Sequence, residues 1–326
     1  MAIALIVIAS PLQAICAVEA IKEYELRGYK ILVLKEGRRT IQVTRFLDEQ
    51  GLDYDMIDYN RSFVQKICDI CGLFMWHKLK YDYLFIGDLR LFTLRCYFMS
   101  YLRKGSKIVI IDDGNYLLVV LNNIFKQSFI FRLKEFIFSI FAWVRTVEDK
   151  HLFTCFAIDI CGRRHWKIKC NELKHLQISS KEVKNKIYVI GTATEVYCNC
   201  IGLSIYDMME VHERLFDMIE RKYEGAEIVY LPHGRDQNMD LMNLCKKRGI
   251  NYKLLDRAVE LWIMNSIELP IAIYGFTSTA LYTLHLLFPQ IEIYNVFHKK
   301  NDCVGADKYS YIGDIYSKHG IIQVIL

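Results

Sequence analysis

Three short stretches of this sequence carry residue types that can do chemistry, and each directly follows an apolar run. The first is Asp112-Asp113-Gly114. Two adjacent carboxylates before a glycine place at least one acid at the end of a strand, where it can take a proton from an attacking hydroxyl. Ordinary Asp-Gly turn chemistry is the alternative. The second is Pro232-His233-Gly234-Arg235. An imidazole between a rigid proline and a flexible glycine can hydrogen-bond a phosphate or protonate a departing one, with Arg235 adding charge. The alternative is a surface histidine beside an arginine that pairs with Asp236. The third is Gly275-Phe276-Thr277-Ser278-Thr279, leading from a strand into a helix. Small hydroxyl residues and backbone N–H groups at a helix start make an anion site. A plain N-cap explains one hydroxyl, but not three in a row. Two softer features accompany these loops. Glu260, on the helix before the third loop, can accept hydrogen bonds from ribose hydroxyls or be a solvated helix carboxylate. Gly191-Thr192 ends another apolar run and can line the same site.

Loops of this kind need a scaffold that brings strand ends together. Short apolar runs alternate with longer amphipathic ones: strands over 3–8, 31–34, 54–58, 83–86 and 107–111, with helices over 13–26, 41–50, 63–76 and 89–102. The polar stretch 177–186 reads as a linker. Beyond it the alternation restarts, with strands over 187–190, 227–231, 252–255, 271–274 and 291–294 and helices over 205–222, 239–248, 258–265 and 278–287. Such a pattern predicts α/β architecture with parallel sheets covered on both faces and ligands at the carboxyl edges. The expected organisation is two Rossmann-like domains facing one another across a central cleft. An amino-terminal domain spans 1–180 and a carboxyl-terminal one 187–326. Neither GxGxxG nor GxxxxGK[ST] occurs, which argues against a dinucleotide oxidoreductase or a P-loop enzyme.

The 326 residues are 53% hydrophobic and 24% charged, enough apolar matter for a large core and too much for a disordered chain. With 42 Lys+Arg against 37 Asp+Glu the formal net charge is +5, which suits contact with an anionic membrane surface but argues against a dedicated nucleic-acid binder. The apolar start 1–9 lacks a basic leader and stops at Ser10-Pro11, so it reads as a buried strand rather than a signal or spanning segment. Eleven cysteines, without framework spacing, indicate reduced thiols and a cytoplasmic location. Cys68-x-x-Cys71 lies within an amphipathic pattern. Cys155, Cys161, Cys170, Cys198 and Cys200, with His151 and His165, lack zinc-site spacing. All are read as packing residues, and no metal site is expected. The aromatic, basic stretch within 117–144 cannot span a bilayer, because charges interrupt it. It is read first as a helix packed in the core or on an interdomain face, and second as an interfacial helix lying on a membrane.

The three loops, in this order and on two Rossmann-like halves, resemble bacterial sialyltransferases of the GT-B type, the group of lipooligosaccharide sialyltransferases and capsule polysialyltransferases. Their shared motifs are an acidic pair before glycine, a His-Pro dipeptide, and a Ser-Ser or Ser-Thr pair. Here these correspond to Asp112-Asp113-Gly114, His233 and Ser278-Thr279, and Ser10-Pro11-Leu12-Gln13 looks like the start of the lipooligosaccharide enzymes. Gly234 stands where the family has proline, and Pro232 precedes the histidine instead.

The resemblance implies an inverting transfer of sialic acid, of a related nonulosonic acid or of Kdo, from a CMP-sugar to a glycan hydroxyl, without a metal. Asp112 is the implied general base, with Asp113 as the second assignment. His233, Ser278, Thr279 and the helix start would stabilise the departing phosphate. Glu260 would hold the ribose, Pro232 would shape the cytidine side, and Gly191, Thr192, Gly234, Arg235 and Thr277 would complete donor binding. Ser10, Gln13 and Gly114 would contact the acceptor, which can be lipid-linked. The location implied is cytoplasmic, with peripheral contact to the inner face of the membrane. Oligomeric state has no signature. A GT-B enzyme using a UDP- or GDP-sugar and a non-catalytic glycan-binding or assembly protein are the competing readings.

Overall fold

The computed structural model describes residues 2–58, 62, 65, 80–87, 92–115, 117–118, 129–158, 166–176, 181–234, 236, 238–298 and 306–326. The chain divides into two compact units, Met1–Gln177 and Ile178–Leu326. In the first, the described elements are β1 (Ile3–Ile8), α1 (Pro11–Glu23), β2 (Gly28–Leu34), α2 (Arg38–Glu49), β3 (Tyr54–Ile57), β4 (Tyr81–Ile86), α3 (Phe92–Met99), β5 (Leu102–Ile111), α4 (Phe129–Val144), β6 (Glu148–Thr154) and β7 (Lys167–Cys170). The strands form one sheet in the order β3-β2-β1-β4-β5-β6-β7, parallel at every pairing. Runs such as Ile3–Ile8 are apolar at successive positions because both faces of a parallel sheet are covered. Leu5, Val7, Leu84, Ile86, Ile108 and Ile110 are buried on it, with Phe98 of α3 and Phe138 of α4 packed among them.

The second unit repeats the plan. Its elements are β8 (Glu182–Ile190), α5 (Thr194–Ile201), α6 (Ile205–Lys222), β9 (Glu227–Leu231), α7 (Met239–Lys247), β10 (Asn251–Tyr252), α8 (Val259–Asn265), β11 (Glu268–Gly275), α9 (Thr279–Leu287), β12 (Glu292–Phe297), α10 (Ala306–Lys318) and β13 (Ile322–Ile325). The sheet order is β10-β9-β8-β11-β12-β13, again parallel throughout. In both sheets the order reverses beside the first strand, between β1 and β4 and between β8 and β11. Ligands of open α/β sheets bind outside the carboxyl ends of the strands at such reversals.

Several elements differ from the sequence reading. Strand β5 begins at Leu102 rather than 107 and passes through Gly105 at φ +75. The strands β6 and β7 were not expected, since Glu148, Asp149, Lys150, Lys167 and Lys169 break the apolar pattern. Parallel pairing to β5 recruits β6 through the buried residues Leu152 and Phe153. Of the expected helix over 63–76 only Gln65 is described, and Cys68, Cys71, Cys161 and His165 lie outside the described residues. Cys16, Cys96, Cys155, Cys170, Cys198, Cys200 and Cys245 are free thiols, and among the described residues no group of three or more His, Cys, Asp or Glu gathers as metal ligands do. Among the described residues, no helix is long and apolar enough to cross a membrane.

Helix α4 satisfies the packing reading on one side only. Phe138 and Ala142 enter the core, whereas Phe129, Leu133, Phe136 and Trp143 stay exposed.

The start of α6 is set by a capping box. The Ser204 hydroxyl accepts from the Asp207 N–H at 3.0 Å, and the Asp207 carboxylate accepts from the Ser204 N–H at 3.3 Å. An N-cap serine exchanged for alanine loses about 1 kcal/mol. Ser204→Ala is therefore expected to lower the unfolding free energy of the second unit by about that amount, read from chemical denaturation with unchanged dependence on denaturant.

Candidate functional site

In the first unit the chemistry gathers around the end of β5. Asp112 is fully buried, at 0% exposure. Its carboxylate accepts from the Thr154 hydroxyl, from the Cys155 N–H at 2.8 Å and from the Cys16 thiol at 3.7 Å. These donors come from the end of β6 and from α1, so one carboxylate ties three elements together. Burial pushes its pKa up from the ordinary 3.8 to about 6, with the hydrogen bonds from Thr154 and Cys155 opposing. Successive strand residues point to opposite sides. The next carboxylate, Asp113, accordingly keeps partial exposure, and Gly114 at φ +76 turns the chain away behind it.

Gln13 holds Asp113. Only 2% exposed, it donates from Nε2 to the Asp113 carboxylate at 2.5 Å and accepts from the Ala9 N–H at 2.7 Å. The link runs from the loop after β1 to the end of β5, and β4 lies between those strands. It passes because the residue after β4 is Gly87, where a Cβ would sit 2.2 Å from the Gln13 side-chain carbon Cδ. Asp112, the first choice for a base, is enclosed by these donors, and Asp113, the second assignment, is the acid that keeps partial exposure. Gln13 and Gly114, expected to touch an acceptor, are buried and hold or turn the acidic loop. Ser10 caps α1, its hydroxyl accepting from the Gln13 N–H at 3.4 Å.

The second unit brings three loops to the carboxyl edge of one sheet. Ile190 pairs with Leu231 and with Gly275, so Gly191, Pro232 and Phe276 leave the sheet at the same level. Gly191 has no alternative. A Cβ there would lie 2.4 Å from the Tyr230 hydroxyl and 3.1 Å from the Pro232 Cα. Tyr230 is itself fully buried against His212. The His212 Nδ1 donates to the Met208 carbonyl at 2.8 Å, which leaves Nε2 facing the Tyr230 hydroxyl at 3.5 Å. Burial lowers the His212 pKa to about 4, so it packs as a neutral ring. Above this layer Pro232 is buried, His233 is half-buried and Gly234 is exposed. Thr192 is half-buried in the adjacent loop. The Asp236 N–H closes a turn on the His233 carbonyl at 2.8 Å, and the Asp236 carboxylate accepts from Thr194 at 2.9 Å. Arg235 lies outside the described residues.

The third loop is held in an uncommon conformation. Thr277 sits at φ +48, a region that disfavours residues with a side chain, and its N–H donates to the side-chain amide oxygen Oδ1 of the buried Asn295 at 2.7 Å. Asn295 is fixed in turn by the Gln323 side chain at 2.9 Å. Ser278 occupies the N-cap of α9, but its hydroxyl makes no capping hydrogen bond. The plain N-cap reading therefore fails for Ser278, whose side chain is available to a ligand. Thr279 is the first residue of α9. Glu260 is not a solvated carboxylate. It is buried and accepts from Thr283 at 3.2 Å, one turn beyond Thr279, and burial raises its pKa. The partners Cys16, Thr154, His212 and Asn295 were not found from sequence, because each acts through a contact between distant segments.

These two parallel sheets define a GT-B-like α/β fold of two Rossmann-like domains. Three solved structures share it over most of their length. An α/β-galactoside α-2,3-sialyltransferase from Photobacterium phosphoreum is 11% identical with a TM-score of 0.53, covering 99% of this chain and 98% of its own. The UDP-GlcNAc 2-epimerase of Methanocaldococcus jannaschii is 12% identical with a TM-score of 0.55, covering 97% and 92%. An Arabidopsis thaliana protein in complex with UDP-L-rhamnose is 8% identical with a TM-score of 0.55, covering 99% and 84%. At such identities the likeness is one of fold. No family model matches the sequence, and no curated protein matches it.

Two measurements check the acidic loop. Gly87→Ala forces Gln13 out of its path, and overpacking of this kind lowers stability by about 1–3 kcal/mol; full stability in urea would show that Gln13 has another route. For Asp112, the folded pKa lies above the unfolded one. Its contribution to stability is therefore complete below the unfolded value and is lost as pH rises through about 6. Asp112→Asn removes this linkage. The stability of wild type relative to the variant is expected to fall by up to about 3 kcal/mol between about pH 4 and about pH 7. A difference independent of pH would contradict the assignment.

Proposed function

We propose that this chain is an inverting, metal-independent glycosyltransferase that moves sialic acid, or a related nonulosonic acid, from a CMP-sugar to a glycan hydroxyl in bacterial capsule or lipooligosaccharide synthesis. The observation that carries the reading is the edge of the second sheet. There the Gly191–Thr192 loop, His233, and Thr277–Ser278 leave adjacent strands beside the reversal of strand order, and the N-cap residue of α9, Ser278, makes no capping hydrogen bond with its hydroxyl.

A phosphate at this edge would meet the positive end of the α9 dipole, the Ser278 hydroxyl and the His233 imidazole. The same groups would stabilise the charge that develops on CMP as the glycosidic bond breaks. With a single phosphate in the donor, these protein groups can take the place of the metal that clamps a pyrophosphate. Pro232 and Gly234 would set the nucleoside side, and Glu260, already placed beside the first turns of α9, would accept from ribose hydroxyls after a small rearrangement of Thr283. In the first unit, Asp113 would remove the proton from the acceptor hydroxyl as it attacks the anomeric carbon, and attack opposite the departing CMP inverts that centre. Gln13 would orient Asp113, and Asp112 would hold the turn. The acceptor would be a bacterial surface glycan, lipid-linked forms included, and the location cytoplasmic.

The test is thermal stabilisation by CMP, UDP and GDP side by side, followed by turnover. A ligand at about 100-fold its dissociation constant stabilises by about 2.7 kcal/mol. Stabilisation by CMP alone, weakened in His233→Ala, is the expected result. With a CMP-nonulosonic acid and a glycan acceptor, Asp113→Asn is expected to lower kcat by about 10²–10⁴ while leaving CMP stabilisation intact. Preference for UDP or GDP would keep the fold and replace the donor. No response to any nucleotide would favour a glycan-binding or assembly protein.

A further inference from the structure

Helix α4 has an uncovered apolar face that none of the chemistry above uses. Phe129 and Trp143 are each 79% exposed and Phe136 is 63% exposed, with Leu133, Ile140 and Val144 between them and also exposed. At about 100° per residue these positions fall on one stripe about 100° wide, running the whole length of the helix, about 24 Å. The opposite side is committed to the first unit. Phe138 and Ala142 are buried, Ser139 donates to Asp149 at 2.7 Å, and Glu135 pairs with Arg95. The stripe is therefore a fixed surface feature of a packed helix, not the loose side of a frayed one.

We propose that this face of α4 rests on an anionic lipid bilayer, with the helix axis in the plane of the surface. Charge selects this occupant. The exposed Arg132 falls at one edge of the stripe, and Glu135, the only acid in Phe129–Val144, is turned inward onto Arg95. The whole chain carries a net charge of +5. An apolar stripe with aromatic residues at both ends, a basic residue on its flank and no exposed acid is the pattern of helices that lie in the headgroup boundary. Anionic headgroups reward each nearby Lys or Arg, and salt weakens the attraction. A lipid-linked acceptor would be met at such a surface, but the inference stands on α4 and not on the proposed reaction.

The experiment is co-sedimentation of the full chain with phosphatidylcholine vesicles, with and without phosphatidylglycerol, at low and high salt. The expected result is binding to the anionic vesicles at low salt and at least about tenfold less at high salt or without phosphatidylglycerol. Phe136→Ser with Trp143→Ser, or Arg132→Glu alone, should reduce it by at least about tenfold, while Ile267→Ser, an exposed apolar residue of the second unit, should not. Unchanged circular dichroism and thermal midpoint in these surface variants separate loss of docking from loss of fold. No sedimentation at low salt overturns the proposal, as does binding that survives the α4 variants. Concentration-dependent dimers abolished by the same variants, without vesicle binding, would also overturn it and assign the stripe to a second copy of the chain.

Discussion

A carboxylate without solvent must be met by donors, and the first unit is arranged around that requirement at Asp112. Its three partners come from β6 and α1, so the end of β5 cannot move without breaking hydrogen bonds on two sides. This rigidity is what gives Asp113 a defined position. A reactive acid on a bare Asp-Gly turn would sample many orientations. Here it is held from behind by its neighbour and from the side by Gln13. The division of labour between adjacent carboxylates follows from strand geometry: one side chain faces the protein, the other faces out.

The second unit solves a related problem without a buried charge. Its three loops need close backbone approach, and aromatic bulk underneath them supplies the floor. Tyr230 fills the space beneath Gly191, and Tyr274 stacks on Tyr294 at 4.4 Å between ring centres under the neighbouring strands. Both are large, stiff side chains with polar tips, which pack tightly while keeping the loop backbones level. The positive φ of Thr277 is then stabilised by Asn295 rather than by a glycine, so a hydroxyl-bearing side chain can occupy a turn that would otherwise exclude it.

Much of this was legible in the sequence because parallel sheets write themselves plainly. Continuous apolar runs such as 187–190 and 227–231 have few alternatives, and chemistry-bearing residues just beyond them must lie at one edge. What could not be read was partnership. Nothing near Gln13 announces Asp113, and nothing near Asp112 announces Thr154; those pairs exist only once β1, β4, β5 and β6 are in order. For the same reason Asp112 and Asp113 look equivalent in the chain and are opposites in the fold. Charged residues hid β6 and β7, whose pairing is decided by neighbours rather than by their own pattern. In α4 the aromatic, basic stretch was visible, but which of its apolar sides would be covered depended on where α3 and β6 came to lie.

The passage of Gln13 over Gly87 also sets the order in which this arrangement could have arisen. A residue with a side chain at position 87 and a glutamine at position 13 compete for the same space, whereas a glycine at 87 with a shorter residue at 13 merely leaves a gap. The gap is tolerable and the collision is not. Glycine at 87 is therefore the permissive step and glutamine at 13 the one that profits from it, and substitutions at the two sites should be strongly epistatic although they are far apart in the chain.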